Sequence, residues 1–261
     1  MTKTVCFANN KGGSGKSTTC SNVAYFMAKA GKKVLVIDGD MQLNLTLAYF
    51  DEDKVLEIAE SGNNLYGVIK DGKSVKDCIY RTDYDGIDIL PSSTLMSGIE
   101  YELFTKWQRE YILKKALGEI KEQGVYDVIL IDAPPTLGGW VMNIMCASDY
   151  CVIPVEASPW GLFGLSNMFS FLNEVKPIAT DLKLLGVAVT KVDGRKSYFK
   201  QTMETLAELD NVPLFNTPIH LDSAVEWSQE NSKPLGAYKK STRASKEYEA
   251  LTDEILKGIN G

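Results

Sequence analysis

A short stretch near the beginning of the chain combines three glycines with lysine and hydroxyl side chains, a set of groups that suits phosphate binding. It reads Asn10-Lys11-Gly12-Gly13-Ser14-Gly15-Lys16-Ser17-Thr18. Glycines let backbone N–H groups converge on an anion because no Cβ atom stands in the way. In loops of this composition, the lysine before Ser or Thr contacts the β- and γ-phosphates of a nucleotide, and the hydroxyl binds Mg²⁺. We therefore predict these roles for Lys16 and Ser17.

The elements on either side of this stretch would hold it in place. Residues 4–8 before it are apolar and β-prone, and the residues after it predict a helix from Lys16 to about Lys29, with one apolar stripe formed by Val23, Phe26, Met27 and Ala30. The first turn of that helix would add its positive dipole end to the phosphate site. Gly31 ends the helix, and residues 33–38 form a continuous apolar run typical of a buried parallel strand. Strand, loop, helix and strand together predict a βαβ unit.

Acidic side chains follow two of the predicted strands. Asp38 and Asp40 come at the end of the second strand, and Asp132 ends the apolar run at residues 125–132. Ligands of open α/β sheets bind at the carboxyl ends of the strands. Two carboxylates beside a phosphate site suit Mg²⁺ and control of water, and Asp132 matches a Walker B aspartate that holds Mg²⁺ through a water molecule. The sequence therefore predicts a magnesium site at this edge of the sheet.

The rest of the chain predicts one α/β domain over residues 1–261, with three layers and a mostly parallel, twisted sheet flanked by helices. Further strands are expected at residues 87–91, 150–155, 184–190 and 214–219. Helices are expected at residues 63–70, 74–80, 95–104 and 107–123, around Leu165–Leu172, and from Ala244 to about Lys257.

Composition excludes several classes of protein. The net charge is −6, so the overall charge does not indicate a nucleic-acid binder, although a local basic face could still bind DNA. The five cysteines show no C-x-x-C spacing, and the chain has one histidine, His220, so a zinc or iron–sulfur site is not expected. His220 lies between apolar residues and is predicted to be structural. We expect a cytoplasmic protein without a signal peptide or a membrane-spanning helix.

Three ordered segments resemble the ParA/MinD class of ATPases. Lys11 before Gly12, where ordinary phosphate loops lack it, resembles the deviant Walker A motif of that class. Residues 38–46 resemble the family motif D-x-D-P-Q-x-N-x-T, with Met41 in place of the proline. Residues 133–138 resemble the switch loop that senses the γ-phosphate. The resemblance is strongest to the Soj-like partition ATPases of plasmids and chromosomes.

The resemblance implies specific roles within a nucleotide site for ATP and Mg²⁺. Lys11 would reach across a dimer to the partner's nucleotide, Asp40 would orient or activate the attacking water, and Asp38 would support the magnesium shell beside Ser17 and Asp132. Residues 12–18 would bind the phosphates. By the same analogy, Lys191 belongs to the base pocket and Pro218 lies near the adenine.

The resemblance also implies contacts to DNA, although the family pattern weakens in the last third of the chain. Arg195 matches an arginine that touches DNA non-specifically, but residues 219–222 lack a second arginine that partition ATPases often have. A basic group could compensate, since it would neutralise DNA phosphates without reading sequence. Its members are Lys239, Lys240, Arg243 and Lys246. As a charge run alone, it would equally be a solvated surface.

Three functions follow from these observations. The first is a ParA-type partition ATPase of the nucleoid: a slow ATPase whose ATP-bound sandwich dimer binds non-specific DNA and is stimulated by a ParB-like centromere-binding protein. No N-terminal helix-turn-helix extension is expected, and hence no autorepression. The alternative is a MinD-like or cargo-positioning ATPase acting on a membrane or protein cluster; the acidic C-terminal helix argues against membrane contact. A nitrogenase-type iron protein is disfavoured because the cysteine spacing is missing.

Overall fold

The computed structural model describes residues 1–195, 198–207 and 212–261. Within them, one sheet has the strand order β3-β4-β2-β5-β1-β6-β7. All neighbouring strands pair in parallel except β3 and β4, which are antiparallel. The strands are β1 (Lys3–Phe7), β2 (Val34–Asp38), β3 (Tyr80–Arg81), β4 (Ile87–Leu90), β5 (Val128–Asp132), β6 (Tyr150–Glu156) and β7 (Lys183–Thr190).

Helices cover both faces of the sheet. They are α1 (Lys16–Lys29), α2 (Glu52–Ser61), α3 (Leu65–Asp71), α4 (Ile99–Phe104), α5 (Ile112–Ala116), α6 (Gly118–Gln123), α7 (Gly139–Cys146), α8 (Pro159–Val175), α9 (Tyr198–Ala207), α10 (Ser223–Glu230), α11 (Leu235–Tyr238) and α12 (Arg243–Asn260). Short 3₁₀ turns occur at Val75–Cys78, Thr94–Gly98 and Arg109–Tyr111.

The alternation of side chains along the strands divides the core into two layers. In β1, Val5 and Phe7 face the cluster formed with α1, α11 and α12, whereas Cys6 faces the cluster formed with α3 to α8. Successive strand residues point to opposite faces of a sheet, so an apolar run such as β1 can fill both clusters. The predicted three-layer α/β class is therefore confirmed.

The strand register brings the predicted acidic residues together. Asp38 at the end of β2 is the register partner of Asp132 at the end of β5, and Phe7 of β1 is the other neighbour of Asp132. The phosphate-binding stretch leaves β1 at the same edge and enters α1 at Lys16. The two motifs thus meet at the carboxyl edge of the central strands, as predicted from their positions after strands.

One predicted helix, at residues 107–123, is broken in the structure. Gln108 has a left-handed backbone (φ 51°), and the segment then forms a 3₁₀ turn followed by the separate helices α5 and α6. Asn143 of α7 explains part of the break, because its side-chain oxygen accepts a hydrogen bond from the Leu113 backbone N–H at 3.3 Å. A side chain from another element replaces a bond of the helical ladder.

The strand predicted at residues 214–219 is also wrong. Only isolated bridges occur there, joining Leu214 to Val187 and His220 to Val192. The backbone N–H groups of Asn216 and Thr217 instead donate to the Glu254 carboxylate of α12, at 2.7 and 3.0 Å. Pro218 has no N–H to give to a neighbouring strand. At residues 74–80, the predicted helix is a single 3₁₀ turn that leads into β3.

Two helices that were not predicted carry clear capping residues. Asp51 caps α2 by accepting a hydrogen bond from the Lys54 N–H at 2.9 Å, and Gly62 ends it in a left-handed conformation. Asp222 caps α10 by accepting from the Ala224 N–H at 3.0 Å. Both caps are readable as helix-start signals. They were missed because the apolar spacing behind them is weak.

Candidate functional site

The glycine-rich stretch forms a loop whose backbone only glycine adopts readily at two positions. Gly13 and Gly15 have φ values of 73° and 86°, in the left-handed region. The loop is fixed to β7 because the Thr190 hydroxyl donates to the Ser14 carbonyl at 2.9 Å. The buried Ser14 hydroxyl has no hydrogen-bond partner. The loop therefore presents its backbone and the start of α1 toward a ligand.

A cavity of about 450 Å³ lies over this loop. Its walls include the predicted residues Gly12, Gly13, Ser14, Gly15, Lys16, Ser17, Thr18, Asp40 and Lys191. The far wall comes from residues 219–222, from α10 and from Tyr248 of α12. Pockets of this kind, concave and with a few convergent polar groups, are the default binding site of an α/β protein. The predicted phosphate site is thus the floor of a cavity large enough for a nucleotide.

Asp38 is fully buried and holds the loop that follows β2. Its carboxylate accepts hydrogen bonds from the Thr46 backbone N–H and hydroxyl at 2.8 and 2.7 Å, and from the Asp40 N–H at 3.1 Å. Burial raises the pKa of Asp38 to about 6, against the lowering effect of these hydrogen bonds. Asp38 therefore shapes the loop that carries Asp40, whatever further contact it makes to a metal ion.

Asp132 differs from Asp38 in having neither carboxylate oxygen in a hydrogen bond, although both oxygens are buried. Burial and then the neighbouring Asp38 raise the pKa of Asp132, whereas the Ser17 hydroxyl and the Lys16 ammonium lower it. Burial likewise lowers the pKa of Lys16, against the effect of Asp132 and Asp40. A buried carboxylate without a partner is costly unless a cation approaches it. The donor set of Asp132 and the Ser17 hydroxyl therefore fits a hard divalent cation.

A metal ion held by protein side chains alone is not supported. No group of three or more His, Cys, Asp or Glu side chains is placed to bind a metal within the described ranges. Mg²⁺ usually binds one or two carboxylates and completes its shell with water and substrate phosphates. The site accordingly suits Mg²⁺ that arrives with a nucleotide.

Lys11 lies outside the cavity wall and is held within its own subunit. Its ammonium forms an ion pair with Glu156 at the end of β6 and donates a hydrogen bond to the Ser158 hydroxyl at 3.2 Å. The Lys11 backbone is fixed as well, because its N–H donates to the Asn9 side chain at 2.9 Å. Lys16 points back toward the same residue, donating to the Lys11 carbonyl at 3.3 Å.

The structure places the two residues predicted near the base at different distances from the cavity. Lys191 has an unusual positive φ of 54°, and its ammonium lies 3.9 Å from the position that a Cβ on Gly13 would occupy. It therefore belongs to the phosphate end of the cavity. Pro218 does not line the cavity, whereas the next four residues do.

His220 is a cavity residue that sequence reasoning treated as structural. Its Nδ1 lies 2.8 Å from a Glu247 carboxylate oxygen, and its Nε2 lies 2.7 Å from Arg243. Arg243 also donates to Glu247 at 2.7 Å. No local pattern marks this cluster, because His220 and Glu247 are 27 positions apart.

The predicted DNA-contacting residues lie apart from the cavity floor. Arg195 is exposed and makes a two-bond ion pair with Asp193, at 2.9 and 3.1 Å. Lys239 and Lys240 are exposed beyond α11. In the part of the chain that the structure describes, neither lysine side chain has a hydrogen-bond or ion-pair partner. Among the predicted residues, the two arginines, Arg195 and Arg243, are thus already paired within the chain.

Comparison with known proteins agrees with these motifs. A family model described as "AAA domain" matches residues 2–184. The sporulation initiation inhibitor protein Soj of Bacillus subtilis is 33% identical over 98% of both chains.

Solved structures give the same result. A putative plasmid partition protein of Borrelia burgdorferi bound to AMPPNP has a TM-score of 0.84 at 26% identity, covering 98% of this chain and 99% of that one. Cobyrinic acid a,c-diamide synthase of Mycobacterium smegmatis, bound to an ATP analogue and magnesium, has a TM-score of 0.86 at 27% identity, covering 100% and 96%. With its phosphate loop, its paired strand-end aspartates and these full-length similarities, the chain belongs to the ParA/MinD-type family of P-loop ATPases.

Proposed function

We propose that this chain is a partition ATPase of the ParA type, which hydrolyses ATP with Mg²⁺ to move DNA. The observation that carries the proposal is the buried carboxylate of Asp132, neither of whose oxygens accepts a hydrogen bond within the described part of the chain, although the Ser17 hydroxyl and the Lys16 ammonium are close enough to lower its pKa. A magnesium–nucleotide complex would supply a partner for these oxygens. The similarity to Soj and to the Borrelia partition protein over nearly the whole chain supports the same conclusion.

The residues around the cavity divide the chemistry between them. Lys16 and the backbone N–H groups of residues 12–18 would bind the β- and γ-phosphates, and Asp40 would place the attacking water. Ser17 and Asp132 would hold Mg²⁺, which when bound offsets negative charge on the phosphate oxygens. Phosphoryl transfer depends mainly on such positioning and charge neutralisation. We expect slow basal turnover.

Dimerisation would complete the site through Lys11. In the free chain its ammonium is paired with Glu156 and Ser158, next to the loop but not in the cavity. Both partners are only half-buried, so exchange of this ion pair for a phosphate of a second subunit is energetically accessible. Each Lys11 would then contact the nucleotide of the other subunit, and ATP would act as the switch for pairing.

The ATP-bound dimer would bind DNA without sequence preference, in the cytoplasm and on the nucleoid. Arg195, Lys239 and Lys240 are the candidate phosphate contacts, with Arg243 contributing only after leaving Glu247. A ParB-like centromere-binding protein would stimulate hydrolysis and release the dimer from DNA.

The alternative, a MinD-like or cargo-positioning ATPase, is less well supported. Tyr248, Leu251 and Ile255 of α12 are buried in the same core cluster as α1, so the apolar face of the last helix is not free to enter a bilayer. Among the described residues, no helix combines the length and the apolar character that crossing a membrane requires.

One experiment tests the proposal on the full chain. Light scattering and DNA co-sedimentation would be measured with Mg²⁺ and a slowly hydrolysed ATP analogue, with ADP, and without nucleotide. We expect a dimer and DNA binding with the ATP analogue only. Lys11→Ala should remain monomeric and fail to bind DNA, while still binding nucleotide within a few-fold of the wild type.

Lys114→Ala is the matched control, because Lys114 also makes an ion pair, with Asp181, but lies on α5. It should behave as the wild type. A Lys11→Ala protein that dimerises and hydrolyses ATP normally would show that the crossing lysine is wrong. Nucleotide-dependent binding to anionic liposomes instead of DNA would favour the alternative function.

A further inference from the structure

A buried tryptophan joins helix α7 to the loop that carries the catalytic carboxylate candidates. Trp140 is 2% exposed, and its indole N–H donates a hydrogen bond of 2.9 Å to the carbonyl of Gly39. Gly39 lies between Asp38 and Asp40. The position of this carbonyl therefore affects where the backbone of both aspartates lies.

Gly39 is packed between the end of β5 and helix α7. A small shift of α7 would therefore displace the loop that contains Gly39. A Cβ on Gly39 would lie 2.6 Å from the Asp132 carbonyl and 3.0 Å from the Ile144 side chain of α7. The Gly39 N–H donates to that same Asp132 carbonyl at 2.9 Å. No side chain fits between the end of β5, α7 and this residue. Closely packed interiors transmit displacement instead of absorbing it.

A second contact fixes the other end of the connection. Glu100 of α4 accepts hydrogen bonds from the Gly139 N–H at 3.1 Å and from the Trp140 N–H at 3.0 Å. These are the first two residues of α7, where N–H groups have no partner within the helix and a carboxylate is favoured by the helix dipole. A Cβ on Gly138 would lie 2.6 Å from a Glu100 oxygen. Glu100 thus holds the turn that directly follows residues 133–138.

We propose that Trp140 is a positioning residue for ATP hydrolysis, and that Glu100 positions Trp140. The indole N–H sets the place of Gly39 and thereby the place of the Asp40 carboxylate relative to the attacking water. The inference rests on the proposed ATPase function. The same contacts would couple residues 133–138 to Asp40. A movement of that loop would displace the first turn of α7, and Trp140 would transmit the displacement to Gly39 and Asp40.

The test must separate positioning from plain core packing. Trp140→Phe removes the N–H donor but keeps an aromatic ring. We expect kcat to fall about five- to tenfold, as the loss of one buried hydrogen bond predicts. The KM for ATP should stay within about twofold, because Asp40 places water and does not bind the nucleotide.

Ile144→Val is the matched control. Ile144 is fully buried on the same helix and lies beside the same glycine, but its side chain has no polar group. It should lower Tm as Trp140→Phe does and leave kcat unchanged. A Trp140→Phe protein with wild-type kcat, or an Ile144→Val protein whose kcat falls as far as that of Trp140→Phe, would overturn the positioning role.

Fluorescence gives a second readout that packing would not move. The other three tryptophans, Trp107, Trp160 and Trp227, are 88%, 75% and 57% exposed. Replacing all three with Phe gives a variant whose tryptophan emission comes from Trp140 only. This emission should change on addition of Mg²⁺ with a non-hydrolysable ATP analogue, and Glu100→Gln should reduce the change. Trp140 emission that does not change when the analogue is added would contradict the coupling between residues 133–138 and Trp140.

The outcome for the wild type distinguishes the two proposals. A wild-type chain that does not turn over ATP overturns the proposed function and this inference with it. If the wild type hydrolyses ATP and Trp140→Phe hydrolyses it equally fast, only the role of Trp140 is overturned.

Discussion

Charged groups differ in burial and in pairing between two regions of the molecule. One region is the edge of the sheet at Asp132, and the other is the basic region around Arg195 and Lys239. At the sheet edge, Asp132 and Lys16 are buried, and the Asp132 oxygens accept no hydrogen bond from the residues that the structure describes. In the basic region, Arg195 and Arg243 are exposed and already paired with Asp193 and Glu247. Uncompensated burial is costly, whereas an exposed ion pair contributes little. The first region is therefore organised for a ligand, and the second would have to exchange partners to bind one.

The largest effect that would test this contrast is expected from Asp132→Asn. Loss of the carboxylate should lower ATP turnover by about 100-fold or more, since electrostatic groups at the reacting phosphate dominate this chemistry. The nucleotide-free protein should become more stable, by about 1 kcal/mol, because burying this carboxyl group is costly at neutral pH, whether it keeps its charge or takes up a proton, as its raised pKa shows. Single-turnover hydrolysis and urea denaturation would measure the two effects.

Asp127→Asn is the control for that variant. Asp127 directly precedes β5, at the opposite end of the strand from Asp132, and its carboxylate accepts a hydrogen bond from the Lys33 N–H at 2.8 Å. The substitution should slightly destabilise the chain and leave turnover unchanged. If Asp132→Asn hydrolysed ATP normally, or destabilised the free protein as Asp127→Asn does, Asp132 would be an ordinary structural residue.

A second, smaller effect concerns pH. Burial raises the pKa of Asp38 in the folded chain to about 6, above the ordinary value of an aspartate, so folding favours its neutral form. Its contribution to stability is complete below pH 4 and is lost as the pH rises through 6. We expect this group to make the nucleotide-free protein about 1 kcal/mol more stable at pH 5 than at pH 7.5.

Urea unfolding at the two pH values would measure this difference. Asp38→Asn cannot ionise and should show a shallower dependence, whatever its absolute stability. If the wild type and Asp38→Asn showed the same change in stability between the two pH values, burial of Asp38 would not raise its pKa, and the prediction would be wrong.

The contrast also explains what the sequence could predict. Helix α1 and the strands on either side of it were predicted correctly because their residues are consecutive. Asp38 and Asp132 lie side by side because the ends of parallel strands share one edge of the sheet. The bond between Trp140 and Gly39 spans 101 positions, and that between Trp140 and Glu100 spans 40. Such contacts depend on how α4 and α7 pack on the sheet. No spacing along the chain carries that information.

The same reasoning applies to the errors. The apolar pattern at residues 214–219 favoured a strand, but the Glu254 carboxylate of α12 took its backbone donors. The position of His220 at the cavity was also missed: Glu247 and Arg243 fix its ring there, and its structural role stays a prediction. In both cases a side chain from α12, distant in sequence, decided the outcome.

The smallest effect is expected in the basic region, and it tests which cations there are available to DNA. Lys239→Ala with Lys240→Ala removes two exposed ammonium groups that have no partner among the described residues. Each phosphate contact contributes about 0.9 to the slope of log affinity against log salt, so the slope for ATP-dependent DNA binding should fall by about 2. Arg195→Ala should reduce it by less, since Asp193 already offsets its charge.

Lys114→Ala with Lys115→Ala is the matched control, because these are also adjacent and exposed lysines, but on α5. Filter binding at several salt concentrations would measure all three variants. A slope that falls more in Arg195→Ala than in the Lys239/Lys240 double variant would reverse the argument from ion pairing. It would mean that DNA phosphates displace Asp193 readily, so that pairing within the free chain does not limit which cations the DNA recruits.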